Sequence, residues 1–365
     1  MKFIRHINPI SSDSILSVHH TSEMIIKYLN NMNSIQIENF ANFKNFDRKI
    51  KNDTISKFYD VLIKHYLYPK LSTNEFEGII HVQDQSYAHI KKFFKKKSLI
   101  TVCDIIPILA YEGKLKNIKL KRKPHLFYYS MSFVKNYDYI IVNSKRVQES
   151  LYKFGIINKK NDCQLVKLGV DDIFFEQKNK NKYELKKKFN LPIDKFIILI
   201  TGRSYYKNHK IILQSIDNLN DNDDYCVVRL GGKSTFYKED YSKFSKENLI
   251  LDFYNLTNLE VAELFRAVDL MVNTSIEEGY GKTPFECFAC GTPVLLSDID
   301  TFNENFSNNL IKIDPYNIKD HEKYISLFRK SEVFYREITN QGFEEVSHFK
   351  WKKVLEPLAE VYKEI

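Results

Sequence analysis

Short runs of aliphatic and β-branched residues alternate along this chain with longer stretches whose apolar positions recur every three or four residues. FIRHI (3–7), EGIIHV (77–82), LITVCD (99–104), YIIVNS (139–144) and QLVKLGV (164–170) predict strands. Between them, the stretch from about Ser14 to Leu29, then YAHIKKFF (87–94) and SKRVQESLYKFG (144–155), predict helices. Near-continuous apolar strands separated by helices point to a parallel sheet covered on both faces. The pattern then restarts. KNKNKYELKKKFNLPIDK (178–195) reads as a polar, lysine-rich linker with Pro192, and FIILITGR (196–203) opens a second series. A helix from about Asn208 follows, then strands YCVVRLGG (225–232) and LILDF (249–253), helix NLEVAELFRAV (258–268), and strands DLMVNTS (269–275) and VLLSD (294–298). The class predicted is α/β, built as two successive Rossmann-like, doubly wound units with right-handed crossovers. The last segment, WKKVLEPLAEVYKEI (351–365), has Val354, Leu355, Leu358, Val361 and Tyr362 at helical spacing. Pro357 there predicts a kink or a fresh turn.

Size agrees, since 365 residues exceed one ordinary core. The longest apolar run, FIILI (196–200), suits a buried strand and is far too short to span a bilayer. The opening MKFIRHINPISSD has no signal-peptide core, and five irregularly spaced cysteines fit a reduced, cytoplasmic protein. The net charge of +9 concentrates in KKFFKKK (91–97) and in Lys114, Lys116, Lys119, Lys121, Arg122 and Lys123. Such runs form either solvated surface or a peripheral contact with an anionic membrane. No zinc-finger spacing, recognition helix or RNA-binding signature accompanies them, so nucleic acid is not expected as a partner.

The chemistry gathers in EEGYGKTPFECFACGTPV (277–294), which uses three of only 11 glycines. Glu278 follows a predicted strand, on the edge where open α/β sheets bind ligands. Gly279, Tyr280 and Gly281 form a tight loop that lets backbone approach a ligand. Thr283 is a good N-cap, Pro284 a good first helical residue, and Glu286 completes a capping box. Gly291 and Pro293 stop the helix. A loop, a capped helix and a glycine stop account for Thr283, Pro284 and Gly291 without any function. They leave unexplained the two glycines around Tyr280 and the acid at Glu278, which point to an anion site of phosphate type at a helix N-terminus. The spacing is not that of a Walker loop.

This stretch resembles the signature of the retaining glycosyltransferases of family four, which have the GT-B fold. An acid, a Gly-aromatic-Gly loop, a second acid and Ala-Cys-Gly-x-Pro-Val stand in that order, with Glu278 and Glu286 at the family's spacing. ITGRSYYKN (200–208), IIVNSKRVQESLYKFG (140–155), VKLGVDDIFF (166–175), HVQDQSYAHI (81–90), LITVCDIIP (99–107) and FKWKKVLEPLAEVYKEI (349–365) agree in the same order. The resemblance runs from about residue 77 to the end.

It implies two Rossmann-like domains facing each other across a cleft. Residues 1–185 would bind the acceptor and 186–345 a nucleotide-diphosphate sugar, while 346–365 would return as a helix to the first domain. Transfer would proceed with retention, without metal or other cofactor. Glu278 and Asp104 would be the catalytic acids, Glu278 touching the donor sugar. Arg203 and Lys207, with the loop Gly279, Tyr280, Gly281, Lys282 and Thr283, would hold the diphosphate. Glu286 would take the ribose, and the backbone near Phe253 and Leu256 the base. Asp84 is an acceptor-side candidate.

Two departures from the family stand out. Cys103 precedes Asp104 where a His is common, and NPISSDSILSVHHT (8–21) lacks the usual glycine pair. Ser11, Ser12, His19 and His20 offer polar contacts there, although a helix N-cap explains the serines equally well. His81 and His89 read as structural polar residues. Cys287 and Cys290 fall inside the capped helix, with no second pair for a metal. A phosphorylase, a nucleotide-sugar epimerase and a non-catalytic sugar-nucleotide binder remain as alternatives.

Overall fold

The computed structural model describes residues 1–9, 16–30, 34–40, 61–176, 181–202, 204–221, 224–231 and 250–365. The chain divides into two compact units. The first comprises 1–114, 119–168 and 351–365, and the second 115–118 and 169–350.

The first unit is a six-stranded parallel sheet in the order β2-β1-β3-β4-β5-β6. Its strands are β1 Lys2–Ile7, β2 Ile35–Phe40, β3 Ile79–Val82, β4 Ser98–Val102, β5 Tyr139–Val142 and β6 Cys163–Leu165. The sheet runs outward in both directions from the β1/β3 neighbours, where Ile7 pairs with Val82. Every residue of β3 and β4 is buried, which is why those strands read as near-continuous apolar runs, broken by His81, Ser98 and Thr101. β2 carries the alternation of an edge strand, and it escaped the sequence reading because its run is interrupted by Gln36 and Glu38.

The second unit is a parallel sheet in the order β12-β11-β10-β7-β8-β9. Its strands are β7 Phe196–Thr201, β8 Tyr225–Leu230, β9 Ile250–Phe253, β10 Leu270–Val272, β11 Val294–Ser297 and β12 Lys312–Ile313. Strand order therefore reverses between β7 and β10, which pair through Ile198 and Leu199. In such sheets ligands bind outside the carboxyl ends of the strands at that reversal.

Four local expectations change. The stretch from Gln85 to Phe93 is a 3-10 helix rather than an α-helix. Its consecutive buried residues Tyr87, Ala88, His89 and Ile90 leave no one-sided apolar stripe for an α-helix to bury. β6 ends at Leu165, well short of residue 170, because the chain leaves this sheet. Val170 instead donates its N–H to Phe349 O in the second unit. The supposed linker is an integral part of the second unit. Its helix Lys182–Lys188 buries Leu185 and Lys186, and the Lys186 ammonium reaches Asp269 and Lys195 O, each at 3.0 Å. The boundary consequently lies at Leu168/Gly169 and not at 185/186. Finally, the basic stretch 114–123 is divided. Residues 115–118 group with the second unit, where Lys116 O accepts from Tyr316 and its ammonium lies over that ring.

The carboxyl-terminal segment breaks at Leu355 into Trp351–Val354 and Glu356–Glu364, with Pro357 in the first turn of the second helix. It closes the first unit. Trp351, Leu355, Leu358 and Tyr362 join the cluster of Ile4, Ile25, Leu29, Ile79 and Leu99. The Tyr362 hydroxyl sits between two buried histidines, 2.8 Å from His6 Nε2 and 2.6 Å from His81 Nδ1. His6 Nδ1 lies 2.8 Å from Ser22 Oγ, and His81 Nε2 2.8 Å from Thr101 Oγ1. Every nitrogen of both rings is thereby satisfied, as burial demands. Burial holds His6 down to about 3, and burial together with His6 holds His81 well below the usual histidine range.

Candidate active site

At the carboxyl end of β7 the chain turns through Gly202, whose φ of +80° favours glycine. Its N–H donates to Leu230 O, and an added Cβ would meet Lys207 Cε at 3.1 Å. The turn thus brings Lys207 back over the strand end. At the end of β10, Ser275 and Ile276 lead to Glu278. Ile276 N–H donates to Tyr206 O and Thr274 Oγ1 to Lys207 O, which ties the two strand-end loops together. Glu278 is buried, and its Oε1 accepts from Lys207 Nζ at 2.5 Å and from Ser275 Oγ at 2.6 Å. Its carbonyl accepts from Thr301 Oγ1 at 2.7 Å. Burial pulls the Lys207 ammonium down, but the Glu278 carboxylate and Tyr206 reverse this and leave its pKa above the usual lysine value.

The helix beginning at Lys282 has Gly281 as its N-cap, in the left-handed conformation with φ +74°. Thr283 is therefore the second residue of the helix, two positions past its cap, and the expected Thr283–Glu286 capping box does not form. Glu286 instead pairs with Lys282 at 2.9 Å, four residues earlier on the same face. Packing as well as backbone fixes glycine at 281, since a Cβ would lie 2.5 Å from the Phe302 ring. Tyr280 is buried, with its ring stacked 5.1 Å from Phe285, so only its backbone can serve a ligand. Gly291, with φ +75°, ends this helix as anticipated.

The structure therefore brings Lys207, Glu278 and the loop Gly279–Gly281 into one place and sets Lys282, Thr283 and Glu286 on the following helix turn. Arg203 lies outside the described residues, as do Ser11 and Ser12. Phe253 ends β9 and Leu256 follows it, but the Phe253 carbonyl already accepts from Gly231 N–H and its ring packs on Phe189 at 5.8 Å. Backbone recognition of a base at that residue would have to use another group.

A second polar cluster lies on the first unit, at the ends of β3, β4 and β5. Asp84 accepts from Ser86 N–H at 2.7 Å and Asp104 from Ile106 N–H at 3.0 Å, so each caps the turn it begins. Cys103 stands beside both. Burial raises its thiol well above the ordinary value, Asp84 and Asp104 add to this, and a bond to Asn143 opposes it. It is thus a neutral thiol, without the charge or second nitrogen of the histidine common in similar sequences. Gln85 is buried and accepts from Cys103 N–H at 2.9 Å. His19 and His20 lie on the helix Leu16–Leu29. Among the described residues no group of His, Cys, Asp or Glu is arranged to hold a metal ion. Ser275 and Thr301, which seat Glu278, were missed. The first stands three residues from its partner, a spacing that could have flagged it, whereas Thr301 gives no local signal.

Residues 181–345 match the family model described as glycosyl transferases group 1. The O-antigen chain mannosyltransferase RfbU of Salmonella typhimurium is 24% identical over 240 residues, 63% of this chain and 60% of that protein. An N,N'-diacetylbacillosaminyl-diphospho-undecaprenol alpha-1,3-N-acetylgalactosaminyltransferase of Campylobacter jejuni is 25% identical, over 56% of this chain and 54% of its own length. This chain thus spans less than two thirds of either relative. In fold, it matches Anabaena HepE, crystallised with UDP and glucose, with a TM-score of 0.75 over 100% of both chains at 14% identity.

Proposed function

We propose that this chain, whose residues 181–345 carry a glycosyl transferases group 1 domain, moves a hexose-type sugar from a nucleotide-diphosphate donor to a glycan or lipid-linked acceptor. The observation that carries this reading is the Lys207–Glu278 pair at the strand reversal of the second sheet. A departing diphosphate develops negative charge, and a preformed, partly desolvated ammonium there stabilises it without reorganisation. The N–H groups of the loop at Gly281 and the helix start add to the same field. Glu278 holds Lys207 in place and charged, and presents its carboxylate to the donor sugar. Arg203 would supply a forked second cation. The transition state is oxocarbenium-like, the anomeric configuration is retained, and cationic side chains do the work of a metal. Asp104 is the second catalytic acid, and Asp84 serves the acceptor. The relatives' names favour polysaccharide or lipid-linked acceptors.

Nucleoside diphosphates should stabilise the protein against heat, one base more than the others. At 100 times its dissociation constant the preferred one adds about 2.7 kcal/mol. Release of that diphosphate on adding acceptor tests the transfer itself. Stabilisation with no release under any acceptor would favour a non-catalytic binder. Glu286→Gln removes a charge remote from the broken bond, so it should weaken donor binding about tenfold with little change in turnover. A loss confined to turnover would remove Glu286 from the ribose role.

No described helix is long and apolar enough to cross a membrane. A peripheral contact is nonetheless favoured by one face of the first unit. A pocket of about 740 Å³ there is lined by Tyr66, Lys70, Phe93, Phe94, Lys95 and Lys96, with Leu62 and Leu71 exposed nearby. Cationic groups over exposed rings and aliphatics suit an anionic lipid surface. Co-sedimentation should occur with anionic vesicles at low salt and not with neutral ones. Equal partition to both, or to neither, would leave a soluble acceptor preferred.

A further inference from the structure

The segment Ile63–Leu67 is a π-helix, a form that often marks functional sites. It sets Lys64 and His65 against the 3-10 helix Gln85–Phe93. The Lys64 ammonium lies 3.2 Å from Ser86 Oγ and 4.5 Å from the centre of the Tyr87 ring. The His65 ring lies 4.3 Å from His89, tilted by 33°, and 6.2 Å from Tyr129, tilted by 56°. On the other side, Lys92 Nζ donates to the Tyr129 hydroxyl at 3.1 Å. His89 is satisfied: one nitrogen faces Lys64 O at 3.2 Å and the other Ser130 Oγ at 3.1 Å. His65 is not. Both of its ring nitrogens are buried with no hydrogen-bond partner, an arrangement that leaves polar groups dry and costs free energy.

Among the described residues the charge around this ring is one-sided. Lys64 and Lys92 flank it, His89 faces it, and Tyr87 and Tyr129 are neutral. Asp84, the acid acting on Lys64, already caps Ser86 N–H. Unspent donors on two ammonium groups and an imidazole, with Asp84 the one acid acting on Lys64 among the described residues, define a site for an anion with several oxygens. We propose that Lys64, His65 and Lys92, with the Tyr129 hydroxyl, form a phosphoryl-binding subsite that takes the phosphate or diphosphate of the acceptor. This rests on the reading of the first unit as the acceptor side. In the free protein burial, Lys64 and Lys92 hold His65 down to about 4. A bound anion offsets the field of both lysines and gives a turned ring an acceptor, so binding takes up a proton at His65.

The full chain is titrated with inorganic pyrophosphate at pH 6.5, with the His65 ring followed by NMR and heats measured in two buffers of different ionisation enthalpy. Saturable binding, a shift of the ring toward imidazolium and net proton uptake are expected. His65→Phe, which keeps the ring contacts, and Lys92→Ala should each weaken binding at least tenfold and leave nucleoside diphosphate affinity unchanged. Farnesyl diphosphate in micelles and a monosaccharide phosphate separate the sources. Tighter binding of the first assigns a lipid-linked acceptor, and of the second a soluble phosphosugar; either supports the subsite. Three results overturn it: no saturation by about 10 mM, unchanged binding in both variants, or one-for-one displacement by nucleoside diphosphate, which would place the pyrophosphate on the second unit. A normal pyrophosphate response in a chain that binds no nucleoside diphosphate would sink the transfer reading and leave the anion site standing.

Discussion

Glu278→Gln should lower turnover a hundredfold or more while the protein keeps its fold. Glutamine preserves the size of the side chain and an oxygen for Ser275 and Lys207, so the loop keeps its hydrogen bonds. What it removes is the charge. About 3 kcal/mol of transition-state stabilisation corresponds to that fall in rate. The variant also carries a pH signature. In the native protein the Lys207 pKa is raised above 10.5, so its contribution is complete below that value and is lost only as pH rises through the higher folded value. Donor affinity should therefore show no Lys207 limb up to about pH 10. In the variant burial acts without the carboxylate, the ammonium's pKa falls, and an alkaline loss of affinity should enter the accessible range. Unchanged turnover with a flat pH profile would mean that the pair is only a structural ion pair. Gly281→Val is a poorer probe, because the clash with Phe302 and the left-handed backbone would damage the loop before any ligand is considered.

The second large effect is on stability. Tyr362→Phe deletes one oxygen and strands a nitrogen on each of two fully buried histidines. At about 1–3 kcal/mol for each of the two unsatisfied groups, the loss should be roughly 2–6 kcal/mol, read from denaturant midpoints at constant slope. The histidines also set an acid limit for the native protein. Their folded values lie below the unfolded value of 6.5, so the neutral rings lose no stability above that pH. As pH falls from 6.5 toward about 3, the unfolded chain binds protons that the folded chain cannot, and stability drops by roughly 1 kcal/mol or more per pH unit for each ring. A midpoint independent of pH between 7 and 5, or a Tyr362→Phe protein as stable as the native one, would show that the chain of hydrogen bonds contributes little.

How these two features could be read from the sequence differs instructively. The two-sheet architecture was legible because buried parallel strands are written as apolar runs, and FIILIT, YIIV and VLLS are such runs. Glu278 was legible as a candidate because local chemistry, an acid before two glycines, is hard to explain by turns alone. Its partner Lys207 stands 71 residues away, and only the family resemblance joined them. Thr283 was misread because its capping-box pattern is locally valid. The tertiary fact that Gly281 adopts a left-handed conformation starts the helix earlier and overrides it. Tyr362 was visible as one more apolar position on a helical face. Nothing near it reveals that its hydroxyl serves His6 and His81, 356 and 281 residues earlier. Propensity reports what a residue does with its neighbours in sequence, and these partners are neighbours only in space.

The wall that Trp351, Leu355, Leu358 and Tyr362 supply to the first sheet has a consequence for how the protein comes into being. During synthesis β1 to β6 leave the ribosome early, yet beyond the helix Leu16–Leu29 the cover of this hydrophobic face is not complete until the whole second unit has been made. Nearly all residues of that second unit are contiguous, so it can complete its core first. The earlier half must wait, with Ile4, Ile79 and Leu99 incompletely covered, for a segment that begins 252 residues after Leu99 (351 − 99) and further still from the others. The order of emergence and the order of completion are thus reversed. A pause or a premature stop late in translation would leave one finished unit carrying an aggregation-prone sheet, and holdase chaperones are expected to be engaged by that nascent first half rather than by the second.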